Sequence, residues 1–160
     1  MIDLRGERVR LRPLTVADLE LLSRTLPTAG PAGRNARLDL AIEVEGRLVG
    51  DVQARSPEEA FPPGNFEIGI DLLAEERGRG YGTDALRLFT AHLFEVGADR
   101  IQASTAIDNV SMRRVLERVG YRFEGVLRSF MPKADGGRAD YALYAVTRSD
   151  IGSAVSGRYD

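Results

Sequence analysis

Between an apolar run ending at Leu73 and an apolar-periodic segment starting at Ala85 lies Glu75-Glu76-Arg77-Gly78-Arg79-Gly80-Tyr81-Gly82-Thr83. These residue types suit the binding of an anion. A helix start leaves backbone N–H groups without intrahelical acceptors, and the helix dipole favours negative charge there. Glycines at 78, 80 and 82 let the chain turn sharply and bring successive N–H groups close to a ligand. Arg77 and Arg79 can add charge-assisted hydrogen bonds. The spacing is not a dinucleotide fingerprint, since the third glycine is misplaced and Thr83 follows Gly82, and no Gly-Lys-Ser/Thr makes it a Walker A loop. Glycine content alone fits equally well a connection that only reverses the chain. The placement after a strand and before a helix favours phosphate binding.

The flanking pattern predicts the elements that position this turn. Val9, Leu11 and Leu14 suggest a first strand, and Thr15 can cap a helix to about Leu26 with Leu19, Leu21 and Leu22 facing inward. Pro27 to Gly33 reads as a loop. Leu38 to Val44 and Leu48 to Ala54 are strands around the hairpin signal Glu45-Gly46-Arg47. Ser56 to Asn65, with three prolines and a glycine, is a surface loop, and Phe66 to Leu73 is a nearly continuous apolar strand suited to a central position. Ala85, Leu86, Phe89, Leu93 and Val96 recur at helical spacing up to Gly97. After a strand at Arg100 to Thr105, Asp108 or Asn109 caps a second amphipathic helix that closes at Gly120. Tyr121 to Arg128 and Tyr141 to Thr147 are the last strands, joined through Asp135-Gly136-Gly137. The order predicts an α+β domain over residues 1–160, not a strictly alternating doubly wound sheet.

Composition narrows the function classes. The 160 residues include no cysteine, so thiolate catalysis, disulfides and Cys-based zinc sites are excluded, and the single histidine, His92, is too few for a His-rich metal site. A net charge of −2 argues against a general nucleic-acid binder. No apolar run reaches the length of a membrane span, and the opening residues lack a signal-peptide pattern, so the expectation is a soluble cytoplasmic protein.

Arg77-x-x-Gly80-x-Gly82 resembles the acyl-CoA signature of the GNAT N-acetyltransferase superfamily. The run Asn109 to Gly125 is similar to that family's second CoA-facing segment. Leu127-Arg128, Asp140-Tyr-Ala-Leu-Tyr and the opening Val9-Arg-Leu-Arg-Pro-Leu resemble the branch of ribosomal-protein N-terminal acetyltransferases. The resemblance implies a mixed, mostly antiparallel central sheet of about seven strands flanked by helices, with pantetheine inserted where two strands splay. It implies acetyl-CoA as cosubstrate, no metal, a primary-amine acceptor such as a protein N-terminus, and a monomer or homodimer. Leu72 would offer backbone groups to pantetheine, and the amides of Gly78, Arg79, Gly80, Tyr81, Gly82 and Thr83 would hold the pyrophosphate beside Arg77. Asn109 would meet pantetheine or brace the strand gap, alongside its role as helix cap.

The same resemblance places Glu67 facing the acceptor site, where it could take a proton directly or through water; the other reading is a solvated carboxylate at a strand end. Relatives often carry Ser three residues after the Asn or Tyr seven after it, where this chain has Met112 and Leu116, and Ser104 stands where some carry a glutamate base. Tyr141 and Tyr144 are the substitutes for a missing acid, or core aromatics. One of Arg113, Arg114 and Arg118 could meet the phosphate on the adenosine ribose; otherwise they are solvated helix positions. Near pH 7.4 an α-amine is neutral in roughly a quarter of molecules and a lysine in about 0.1%, which favours a low-pKa acceptor. Pro27 to Arg37 predicts a shortened acceptor wall, with Ser56 to Asn65 as a cover. A CoA-binding module without catalysis, or an enzyme acting on a small or antibiotic amine, are the competing readings.

Overall fold

A computed structural model describes residues 1–25, 37–57 and 59–151. Its elements in chain order are β1 (Leu4–Arg5), β2 (Arg10–Pro13), α1 (Val16–Thr25), β3 (Arg37–Val44), β4 (Arg47–Arg55), β5 (Asn65–Leu72), α2 (Tyr81–Glu95), β6 (Arg100–Ala106), α3 (Val110–Val119), β7 (Arg122–Pro132) and β8 (Arg138–Thr147). A short 3-10 turn, Ala74–Glu76, joins β5 to the glycine-rich turn. The strands form one eight-stranded sheet in the order β1-β2-β3-β4-β5-β6-β8-β7. This is the mixed, mostly antiparallel sheet expected, with the two-residue β1 added at one edge.

Local chemistry explains most element ends. Thr15 and Asp18 form a reciprocal capping box: the Thr15 N–H donates to Asp18 Oδ2 at 2.8 Å and the Asp18 N–H to Thr15 Oγ at 3.2 Å. Glu45 and Gly46 both have positive φ, 50° and 79°, as a two-residue hairpin turn matched to strand twist requires. Gly120 ends α3 in the left-handed region, its N–H donating to the Glu117 carbonyl. The inward face expected for α1 is not observed: Leu19 and Leu21 are 53% and 42% exposed. Asp18 instead anchors that helix, gripped by Arg12 NH1 at 2.6 Å and NH2 at 3.2 Å, so the buried side of its first turn is ionic rather than apolar. Leu26 and the predicted short wall at 27–36 lie outside the described residues.

The core lies between the sheet and helices α2 and α3. Ala85, Leu86, Phe89 and Leu93 of α2 and Leu116 of α3 are buried there against Leu40, Ile42, Val52, Ile68, Ile101 and Tyr144 of the strands. Four apolar positions at helical spacing are enough to seat α2 on the sheet over β4 and β5, because each buried Leu or Phe contributes about 1.5–3 kcal/mol. Helix α2 is therefore the crossover of a parallel pair, β5 and β6, while every other neighbouring pair is antiparallel.

Candidate active site

The parallel pair is short. β5 and β6 match only at Asn65↔Arg100, Phe66↔Ile101 and Glu67↔Gln102, and beyond Glu67 the two strands have no common rung. A cleft of about 780 Å³ opens in the fork, lined by Ile68 to Leu72 on one side, Ala103 to Thr105 on the other, and the glycine-rich turn at its end. The main chain of β5 faces into it. The Leu73 N–H donates to the Val49 carbonyl at 2.9 Å, and antiparallel ladders alternate with a two-residue repeat. The odd-numbered residues of β5 thus exchange with β4, which leaves the backbone groups of Ile68, Ile70 and Leu72 directed at the open side.

The turn is braced from behind. Glu76 is buried and paired fork-to-fork with Arg47, Nε to Oε1 at 2.9 Å and NH2 to Oε2 at 3.1 Å; this guanidinium holds the Glu76 carboxyl below its ordinary pKa. Arg77 Nε donates to the Leu72 carbonyl at 3.1 Å and closes the loop over the strand end. Gly78 and Gly80 have φ of 75° and 84°, values that L side chains rarely adopt, and Gly80 caps α2 with no side-chain oxygen. The first N–H groups of α2 are therefore left for a ligand. Asp84 in that first turn is buried and accepts the N–H groups of Glu7 at 3.3 Å, Arg8 at 2.7 Å and Val9 at 3.0 Å. It ties the bend before β2 to the start of α2.

Leu72, Arg77, Gly78, Gly80, Tyr81, Gly82, Thr83 and Asn109 all line the cleft. Arg79 does not; it lies in the exposed part of the turn, where its charge acts on Glu76. Asn109 caps α3 and lines the cleft at once, with Oδ1 accepting the Met112 N–H at 3.2 Å and Nδ2 donating to Thr105 Oγ at 3.1 Å. Glu67 stands at the last paired rung, at the apex of the fork, but on the opposite face from Ile68. It lines a small adjoining pocket with Gln53, Arg55 and Gly69, and Arg55 holds its carboxylate at 2.6 Å.

Ser104, Ser111, Met112 and Tyr141 line the cleft, whereas Leu116 is fully buried in the core. Tyr144 is buried as well, its hydroxyl accepting from Arg113 Nε and donating to Glu117, both at 3.0 Å. Of the two tyrosines, only Tyr141 faces the cleft. His92 is half-buried within α2 and lines neither cavity, and the described residues of the 56–64 loop line neither as well. Gln53 and Asp71 also stand here, outside the residues that the motifs point to. Asp71 lines the cleft directly, and Gln53 Nε2 bridges Asp51 at 2.5 Å and Asp71 at 3.3 Å. Their signal was the odd-numbered set Glu67, Gly69, Asp71, a polar face inside a strand read as nearly all apolar. Among the described residues no group of His, Asp and Glu side chains could hold a metal ion, and no helix is long and apolar enough to cross a membrane.

Comparison with known proteins agrees with this geometry. The structure of Mycobacterium smegmatis RimJ in complex with CoA-disulfide is similar over 94% of this chain and 88% of that one, with a TM-score of 0.77 and 26% identity. RimL, a ribosomal L7/L12 alpha-N-protein acetyltransferase solved in complex with coenzyme A, shares the fold at a TM-score of 0.75 and 15% identity, over 91% of this chain and 98% of that one. YoaA of Bacillus subtilis (strain 168), described as an uncharacterised N-acetyltransferase, is 29% identical over 83 residues, 51% of this chain. That match spans 46% of the length of YoaA, somewhat less than half of the curated relative. The Acetyltransferase (GNAT) domain family matches residues 28–122, from before β3 to the start of β7, including both walls of the fork and the glycine-rich turn. The chain belongs to this GNAT acetyltransferase family.

Proposed function

We propose that this protein is an acetyl-CoA-dependent N-acetyltransferase acting on a primary amine, with a peptide or protein N-terminal α-amine as the favoured acceptor. The observation that carries the reading is the fork between β5 and β6, which ends on an uncapped helix N-terminus behind a left-handed glycine turn. A long ligand with an amide-bearing arm and a diphosphate matches both features. The arm pairs with the free backbone edge of β5, and the diphosphate meets the N–H groups from Gly78 to Thr83 with Arg77 beside it. Coenzyme A has both parts, and its thioester supplies the activated acyl group. Asn109 closes the other wall over the arm.

In the reaction the neutral amine nitrogen forms a bond to the thioester carbonyl carbon, and the carbon–sulfur bond breaks. The proton lost from nitrogen passes to Glu67, directly or through water, and the departing thiolate takes a proton from Tyr141. Glu67 suits this role because it stands where the strands part, on the face away from the core, with Arg55 fixing its orientation. Tyr141 suits the second because it is the tyrosine of the pair whose side chain borders the cleft. Much of the rate comes from alignment in the fork. A low-pKa α-amine needs least help from the base, which supports an N-terminal acceptor.

The test is thiol release from acetyl-CoA with a panel of peptides carrying free or blocked N-termini and of small amines. Turnover on free N-termini alone supports the proposal. Turnover only on small amines moves the acceptor to that class. Tight CoA binding with no turnover on any acceptor makes the protein a CoA-binding module, a reading that the absence of hydroxyls at Met112 and Leu116 keeps open.

A further inference from the structure

Val52, Ala54 and Ile68 turn one face of the β4–β5 ladder into the core. The other face carries Asp51, Gln53 and Arg55 directly across from Asp71, Gly69 and Glu67. Two aspartates facing each other across a ladder repel, and the Gln53 carboxamide bridges them, with Nε2 2.5 Å from Asp51 and 3.3 Å from Asp71. Carboxylates only accept, so the amide must turn its NH2 toward them and its oxygen away. That oxygen lies over Gly69, where a Cβ would come within 2.8 Å of Oε1. On the diagonal neighbour Glu67, both contacts of Arg55 fall on one oxygen, Nε to Oε2 at 2.8 Å and NH2 to Oε2 at 2.6 Å. Among the described residues no hydrogen-bond donor meets Gln53 Oε1 or Glu67 Oε1. Gln53, Arg55, Glu67 and Gly69 enclose a cavity of about 30 Å³, the space of one water molecule or one amino group. Gly69 borders this cavity and the large cleft alike, so the two spaces adjoin there.

Two acceptor oxygens beside so small a space suit a group with two N–H donors and a lone pair. We infer that Gln53 binds the acceptor nitrogen together with Glu67, and that this pair of oxygens selects primary amines over secondary ones. The inference rests on the acetyltransferase reading above, with Glu67 as the base. One N–H of the neutral amine donates to Gln53 Oε1 and the other to Glu67 Oε1, which leaves the lone pair for the thioester carbon. The carbon–nitrogen bond forms, the carbon–sulfur bond breaks and the sulfur leaves with the electron pair, while the N–H on Glu67 gives up its proton there. A secondary amine has a single N–H, which it must lose to Glu67. Its alkyl group then meets Gln53 Oε1 and leaves that oxygen without a donor. Glutamine suits the position: Glu would put a third carboxylate beside Asp51 and Asp71, and an apolar side chain would have no oxygen to accept the N–H. Asp51 and Asp71 act through Gln53, by holding its amide one way round.

Paired peptides that start with glycine or N-methylglycine, amines of nearly equal basicity, test this by steady-state turnover with acetyl-CoA. The unaltered protein is expected to favour the glycine peptide by about 100-fold in kcat/KM, as an oxygen left without its donor implies. Gln53→Met keeps the length of the side chain without the amide. It should lower kcat/KM on the glycine peptide by about 10-fold, change the N-methylglycine peptide little and leave the KM for acetyl-CoA unchanged. Asp71→Ala frees the amide to turn and removes the like charge across from Asp51, so it should melt no lower than the unaltered protein and lose part of the same preference. Should Gln53→Met fail to fold, Asp71→Ala decides: a reduced preference supports the inference and an unchanged one overturns it. Equal losses on both peptides in Gln53→Met make Gln53 a structural bridge only and overturn the inference. Equal turnover of the two peptides by the unaltered protein overturns it as well, and the acetyltransferase reading stands in each of these cases. No turnover of any amine overturns that reading and the inference with it.

Discussion

Gly80 and Gly82 are alike in the motif but meet different constraints. Gly80 has φ of 84°, so any L side chain there strains the turn by about 1–2 kcal/mol. Gly82 is helical, and a Cβ built on it would lie 3.5 Å from Leu72 Cδ1, an ordinary contact. Gly80→Ala should therefore lower both the melting temperature and CoA affinity, while Gly82→Ala should fold with unchanged stability. Thermal melts and CoA titration of the two variants check this; equal destabilisation would contradict it. At the chemical centre, Glu67→Gln should lower kcat by about 100-fold near pH 7, with the KM for acetyl-CoA unchanged. The loss should shrink as pH rises toward the acceptor amine pKa, since less base is then needed. Tyr141→Phe should also lower kcat, with the larger effect at high pH, where solvent protons are scarce. Unchanged turnover of Glu67→Gln from about pH 6 to 9 would remove it from the mechanism.

At the level of elements, two carboxylates clamp secondary structures together. Asp84 holds three N–H groups of the bend before β2 against the start of α2, and Gly6 leaves room for it, since a Cβ there would come within 2.6 Å of the carboxylate. Asp84→Ala should cost about 3 kcal/mol in urea unfolding, because three backbone donors, that of Val9 buried, lose one acceptor together. Asp84→Asn should recover part of that loss. The second clamp, Arg12 with Asp18, gives stability a sign in acid. The guanidinium of Arg12, helped by the Thr15 N–H, holds the Asp18 carboxyl at about 2, below its ordinary 3.8. Between those values the unfolded chain binds the proton and the folded one does not. Stability present above about pH 4 is thus lost as pH falls toward 2. Arg12→Ala should flatten that slope in unfolding measurements across the same window.

Across the molecule, the readable part of the site was the part made of contiguous residues. The strand, turn and helix around Arg77 to Thr83 were legible because glycine placement and apolar period are local properties, and the cap at Asn109 was legible for the same reason. Which of the two tyrosines borders the cleft was not. Which of Tyr141 and Tyr144 borders the cleft depends on the β6–β8 register, Ala106↔Tyr141 and Ala103↔Tyr144, and a one-residue slip would exchange their faces. Leu19 and Leu21 misled because helix propensity and apolar content say nothing of what lies opposite a helix.

The sequence by itself determined the order of elements, the glycine-rich turn at the start of α2 and the exclusion of thiol chemistry, since each follows from residue types within a few positions. Tertiary structure alone decided where β5 and β6 stop pairing, which face Glu67 occupies, and that Asp71 and Gln53 belong beside the cleft. Those outcomes depend on how far β5 and β6 pair, and their shared rungs end after three. No run of neighbouring residues encodes those outcomes, because β4, β5 and β6 come from separate segments of the chain.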